Sequence, residues 1–146
     1  MANQRRSRKT EVFLTILLSH PLMYAFVLKT RNRQALVQYF LALRAEALYI
    51  ADRIPEALEA IEEAEALADR YEQHNWCAEL HRLRGVFLTA MGAEATQIEA
   101  SFCAAIRIAR EQKSISLEKR AEATYAEYRR QKASALGGRG FRLALW

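Results

Sequence analysis

The sequence predicts an all-α chain built from helical hairpins, and three observations carry that prediction. Alanine, leucine, glutamate and arginine dominate, all of them strong helix formers, while valine and threonine are scarce. No run alternates apolar and polar residues with the period of two that a half-buried strand needs. One short pattern occurs twice, as Ala57-Leu-Glu-Ala-Ile61-Glu-Glu-Ala64 and as Ile98-Glu-Ala-Ser-Phe102-Cys-Ala-Ala105. Each copy sets an apolar residue at i, a large one at i+4 and an alanine at i+7. That spacing lines one helix face over two turns and leaves a small residue where another helix must come close. A second helical pattern precedes each copy, so the unit that recurs is a hairpin of helices.

A chain of 146 residues is the size of one domain. With 51% hydrophobic and 27% charged residues it has the composition of a folded globule, which excludes disordered and collagen-like classes. The net charge of +5 conceals a segregation. Residues 1–44 hold eight basic and one acidic side chain, residues 45–80 two and ten, and residues 81–146 twelve and six. A nucleic-acid binder more typically gathers its charge on one face, so that class ranks low. Cys77 and Cys103 do not make a disulfide framework. Both fall in helical patterns, as small hydrophobes in a reducing, cytoplasmic setting.

Taken in order, the chain opens with a basic arm (MANQRRSRK) and then Val12 to Leu28, mostly apolar but interrupted by Ser19, His20 and Pro21. A basic start before an apolar run resembles a signal peptide or membrane anchor. The run is at the lower limit for spanning a bilayer, about 17–25 residues. It carries a proline and a histidine at its centre, and no small-residue cleavage site follows. The favoured reading is one or two buried helices broken at Pro21, with residues 1–33 forming a segment of their own.

Gln34 to Ala51 reads as a helix, with Leu36, Phe40, Leu41, Ala45 and Leu48 near one stripe, widened by Tyr39, Leu43 and Ile50. Asp52 is placed to cap the next helix, and Pro55 suits its first turn because the missing donor would be unpaired there anyway. That helix, Pro55 to Gln73, has the stripe Ala57, Leu58, Ile61, Ala64, Leu67 and Ala68, and glutamates 56, 59, 62, 63 and 65 on its solvent side. After a break at His74-Asn75, Trp76 to Met91 carries Leu80, Leu83, Val86, Phe87 and Leu88. Gly85 lies mid-helix, which makes sense where a neighbour crosses closely, and Gly92 has the identity of a helix stop. Residues 95–112 carry Ile98, Phe102, Ala105, Ile106 and Ala109. The last helix, Ile115 to Lys132, follows Ser114 or Ser116 as cap and has a weaker stripe of Leu117, Ala121, Thr124, Tyr125 and Tyr128. Residues 133–146 form a glycine-rich tail ending in Phe141-Arg-Leu-Ala-Leu-Trp146.

Aligned, the hairpins give Leu41…Ala45…Leu48…Asp52…Ile54…Ala57…Ile61…Ala64, then Leu83-Arg-Gly85…Leu88…Gly92…Ile98…Phe102…Ala105. This arrangement resembles the tetratricopeptide repeat, with large–small–large, a turn, then small–large–small. Gly85 stands at that family's near-signature glycine. The period is 40–41 residues, longer than the family's ~34. The run Ala78-Glu-Leu-His-Arg-Leu-Arg-Gly85 and Glu99-Ala-Ser-Phe…Ala105-Ile106…Ile108-Ala-Arg110 is similar to the C-terminal repeats of large bacterial signalling proteins. In those, the repeats follow an ATPase fused to a class III adenylate or guanylate cyclase or to a winged-helix regulator. The likeness spans about Gln38 to Lys132. This chain lacks the cyclase aspartates, the winged helix and a Gly-x-x-x-x-Gly-Lys-Ser/Thr phosphate loop, so it implies a detached or truncated piece and carries over the scaffold role alone.

The resemblance implies a tetratricopeptide-like superhelix in which the first helix of each hairpin lines a partner-binding groove. The residues at those positions are Tyr39, Ala42, Glu46 and Tyr49, then Glu79, Arg82, Val86 and Thr89, and then Glu118, Glu122 and Tyr125. They mix aromatic anchors with both charge signs, as recognition surfaces do. The alternative is that some of them pack against the N-terminal apolar segment. Cys77 and His81 have the i, i+4 spacing of two metal ligands, but no second pair is near in sequence, so no metal and no cofactor is expected. Neither cysteine lies in an activating motif, and the glutamates of 56–65 lie on a solvated face, so no catalytic residues are assigned. Arg129, Arg130, Lys132, Arg139 and Arg142 read as cations that complement a helix C-terminus and a soluble tail. The expectation is therefore a non-catalytic scaffold, for a protein or peptide partner or for missing upstream ATPase or cyclase domains, with self-association open at the array ends and no small-molecule substrate. The alternatives are a membrane-anchored adaptor, with residues 12–28 as the anchor, and below it a basic nucleic-acid-binding helical domain.

Overall fold

A computed structural model of the chain describes residues 33–135, with side chains from Ala35 onward. The segment 12–28, its expected break at Pro21 and the tail beyond Ala135 lie outside the described residues. Those that are described form five α-helices and no strand. They are α1 (Arg33–Ile50), α2 (Ile54–Tyr71), α3 (Cys77–Met91), α4 (Ala95–Glu111) and α5 (Ile115–Ala135). Helix α5 continues through Ala133–Ala135, into the stretch expected to begin the tail. The chain divides between His74 and Asn75 into two compact units, at the break the sequence marks.

In the first unit α1 packs on α2. Leu41, Ala45 and Leu48 of α1 and Ala57, Ala60, Ile61, Ala64 and Ala68 of α2 are buried. Five of these eight residues are alanines, whose small side chains let the helix axes come close. Leu58 and Leu67, expected in the α2 stripe, flank it and are half-buried, whereas Ala60 is buried. Gln38, also buried, donates from Nε2 to the carbonyl of Gln73 at 2.9 Å and so ties α1 to the end of α2. In the second unit α3 packs on α4, and α5 packs on both. Its core holds Leu80, Leu83, Val86, Phe87, Ile98, Phe102, Ala105, Ala109, Ala121 and Tyr128. Leu88 and Ile106 are half-buried at its edge.

Helices α1 to α4 all stop the same way. A residue with positive φ follows each: Asp52 (63°), Glu72 (52°), Gly92 (69°) and Lys113 (55°). At the first stop the Asp52 N–H donates to Tyr49 O at 3.1 Å, and the Arg53 N–H to Leu48 O at 2.9 Å. The same pair of bonds recurs from Glu72 and Gln73, from Gly92 and Ala93, and from Lys113 and Ser114. This is the Schellman motif, which satisfies carbonyls that the helix end would otherwise leave unpaired. The sequence reading placed Asp52 as the N-cap of α2. It ends α1 instead, and the N-cap position falls to Arg53, which makes no side-chain cap bond. The left-handed backbone at Asp52 sets this, because the turn there is built to close the preceding helix.

Candidate recognition surface

The eleven residues assigned to a groove separate into groups with different surroundings. On α1, Tyr39 is exposed, Glu46 and Tyr49 are half-buried and Ala42 is buried. On α3, Glu79, Arg82, Val86 and Thr89 are all buried, Arg82 and Val86 completely. That removes the α3 set from any exposed face. On α5, Glu118 and Tyr125 are half-buried and Glu122 is exposed.

The burial of Glu79 and Arg82 follows from their spacing. Residues three apart share a helix face, and an arginine fork fits a carboxylate with two parallel bonds. Arg82 Nε donates to Glu79 Oε2 at 2.9 Å, and its Nη2 to Glu79 Oε1 at 2.7 Å. Helix α5 completes the arrangement. Arg82 Nη1 lies 3.4 Å from Thr124 Oγ1, and Arg120 Nη1 stands 3.3 Å from Glu79 Oε1. Thr124 Oγ1 in turn donates to the Arg120 carbonyl at 2.9 Å. Two cations therefore share one carboxylate between α3 and α5. A charge removed from water at this depth is tolerated because its donors are occupied. Thr89 is used locally, its Oγ1 donating to Gly85 O at 2.7 Å.

Glu118 and Glu122 are bound to the end of α4. Arg110 reaches them at 2.6 and 2.7 Å from Nε and Nη2, and these bonds raise its already high pKa further. Tyr125 belongs to an aromatic cluster. Phe102 stacks on it with ring centres 5.5 Å apart and meets Tyr128 at 5.7 Å. Burial, with the neighbouring Cys103 and Glu99, holds the Tyr125 hydroxyl above its ordinary pKa. At the end of the cluster Lys132 Nζ donates to Glu99 Oε1 at 2.8 Å and lies 5.8 Å from the Tyr128 ring centre. Its pKa is raised, chiefly by that bond.

Cys77 and His81 lie one turn apart on α3, both half-buried, and Cys103 is exposed on α4. Burial, then the positive charges of Arg84 and Arg107, lower the His81 pKa. Among the described residues no group of three or more His, Cys, Asp or Glu is placed to hold a metal ion. Among them, too, no helix is long and apolar enough to cross a membrane.

Sequence reasoning did not find Thr124, Arg120 or Arg110 as partners. The i, i+3 spacing of Glu79 and Arg82 is a visible signal for their pair. Nothing in local sequence brings α5 alongside. Comparison with protein-family models, with curated proteins and with solved structures returned no match.

Proposed function

We propose that the chain is a non-catalytic, tetratricopeptide-like scaffold for protein–protein recognition or intramolecular regulation, derived from the C-terminal part of a bacterial multidomain signalling protein. The observation that carries this reading is the regular placing of the helix stops. Asp52, Glu72, Gly92 and Lys113 are 20, 20 and 21 residues apart and use one hydrogen-bonding pattern. A fixed interval in the helix ends supports a repeated hairpin, and repeated hairpins stack into extended surfaces whose common use is holding a partner. The 40–41-residue sequence period is two such intervals.

The recognition face we assign is on α1, where Tyr39, Glu46 and Tyr49 present two aromatic rings and a carboxylate along one side of the helix. Aromatic anchors beside a charge are the composition of an interface centre. Their equivalents on α3 are interior, so α1 carries the recognition. A photo-crosslinking residue in place of Tyr39 tests this in the cell of origin, with one in place of Glu59, exposed on α2, as the control. The expected result is one protein adduct of defined mass from position 39 and none from position 59. A purified adduct partner then binds the wild-type chain and binds a Tyr39→Ala/Tyr49→Ala chain at least about tenfold more weakly, the scale of one lost anchor. Equal adducts from both positions, or none from position 39, overturn the reading.

A further inference from the structure

Helix α5 is held to its neighbours differently from the way those neighbours are held to each other. Nine of the fifteen residues of α3 are buried, but only three of the twenty-one in α5, namely Ala121, Thr124 and Tyr128. Between α3 and α4 the contact is a packed one, with Leu80, Leu83, Phe87, Ile98 and Ala105 buried and Phe102 set against Gly85. The large apolar contact of α5 is Tyr128, with Tyr125, against Phe102. The rest of its length is tied by charge. Glu118 and Glu122 near its start meet Arg110, Arg120 meets Glu79, and Lys132 near its end meets Glu99. The side chains of Arg110, Arg120 and Lys132 are 60%, 44% and 44% exposed. Ion pairs in contact with water hold weakly, and salt screens them. The face that receives α5 is moreover satisfied without it. Arg82 keeps both bonds to Glu79, which lies on the same helix, so withdrawing α5 strands neither charge.

We propose that α5 is a salt-sensitive strap, which opens as one unit about residues 112–114 and uncovers the Glu79–Arg82 pair and the Phe102 ring. Segments with few buried apolar residues open before the rest of a domain, in cooperative units that follow its secondary structure. The link between α4 and α5 is three residues long and holds the left-handed Lys113. Short loops and helix termini are where hinge motions are absorbed. The surface uncovered joins both charge signs to an aromatic ring, as the centre of a recognition surface does. Positions on α3 that are interior while α5 is docked are thus presented when it leaves, which makes that face conditional. The strap is independent of the recognition face on α1, and either can fail alone.

Native-state hydrogen exchange of the full chain, read by peptide mass spectrometry at about 0.05 M and about 0.5 M sodium chloride, tests the strap. The expected result is that amides from Leu117 to Tyr128 exchange at one common rate, faster than those of α3 and α4. The higher salt should speed α5 by about tenfold and leave α3 and α4 unchanged. Arg110→Gln removes two of the ties from an exposed position and should speed α5 at low salt in the same way. Arg107→Gln is the control, because Arg107 pairs with Glu111 inside α4, and it should leave α5 as it is. Exchange of α3, α4 and α5 at one shared rate overturns the proposal, since the three helices then open only together. Protection that falls off gradually toward Ala135 also overturns it, because that is fraying. So does an α5 rate indifferent to both salt and Arg110→Gln, which would assign its hold to the aromatic contact.

Discussion

Gly85 and Phe102 are fitted to one another across α3 and α4. A Cβ built on Gly85 would stand 2.8 Å from Phe102 Cε1, 2.9 Å from Cζ and 3.0 Å from Cδ1, closer than real side chains approach. The ring cannot readily withdraw, because Tyr125 and Tyr128 pack against it and it is fully buried. A glycine in mid-helix costs about 1 kcal/mol against alanine, and here the close ring contact offsets it. Gly85→Ala is therefore expected to destabilise, since overpacking of about 1–3 kcal/mol exceeds the helix gain. Phe102→Leu in the same chain should relieve the clash. A double-mutant cycle by urea melting is expected to show coupling, and additive losses would separate the two residues.

The Glu79–Arg82 pair should behave as a unit. Glu79→Ala leaves a fully buried guanidinium without its carboxylate, and the expected loss is about 3–5 kcal/mol. Glu79→Leu with Arg82→Met removes both charges and should recover most of that loss. Chemical denaturation of the three proteins reads the difference. A Glu79→Ala chain within about 0.5 kcal/mol of wild type would contradict a buried pair.

Three of the four left-handed helix stops are occupied by side chains that disfavour that backbone. Glu72→Gly and Lys113→Gly are each expected to raise stability by about 0.5–1 kcal/mol, the release of left-handed strain less the added chain entropy of glycine. Gly92→Ala is expected to lower it by a similar amount, although nothing lies within 4 Å of the new Cβ. Thermal melts check both signs, and a gain from Gly92→Ala would mean that the turn had changed.

Stability should fall on mild acidification in a way that depends on His81. Its pKa is lowered in the folded chain, so the unfolded chain binds the proton more readily. The contribution is full above the ordinary value of about 6.5 and is lost as pH falls below it toward the folded value. Urea midpoints at about pH 7.5 and about pH 5.5 should differ less in His81→Gln than in wild type. An unchanged difference would mean that His81 does not carry the effect.

Much of the fold was legible because helix periodicity reports burial directly. The stripe Ala57, Ile61, Ala64, Ala68 and the pair Ile98, Phe102 are buried as read, and Gly85 marks a close approach as expected. The stops were legible only at Gly92. Asp52, Glu72 and Lys113 are not glycine, so residue identity conceals a backbone geometry that hydrogen bonding reveals. Along α1 the broad stripe read from the sequence divides by burial: Leu41, Ala45 and Leu48 are buried, whereas Leu36, Phe40 and Leu43 are half-buried and Tyr39 and Ile50 exposed, because apolar residues all round a helix blur into one wide face.

The sequence by itself determined the all-helical class, the helix bounds to within a few residues and the 40–41-residue period. Those depend on local propensity and spacing, which each segment carries alone. Only the tertiary structure decided that Glu79, Arg82, Val86 and Thr89 are interior, because it packs α4 and α5 on α3 and brings Arg120 to the Glu79 carboxylate and Thr124 to the Arg82 guanidinium, each some forty residues away. A charged residue on a helix reads as solvated until a partner from a distant segment meets it, and that meeting is a property of packing.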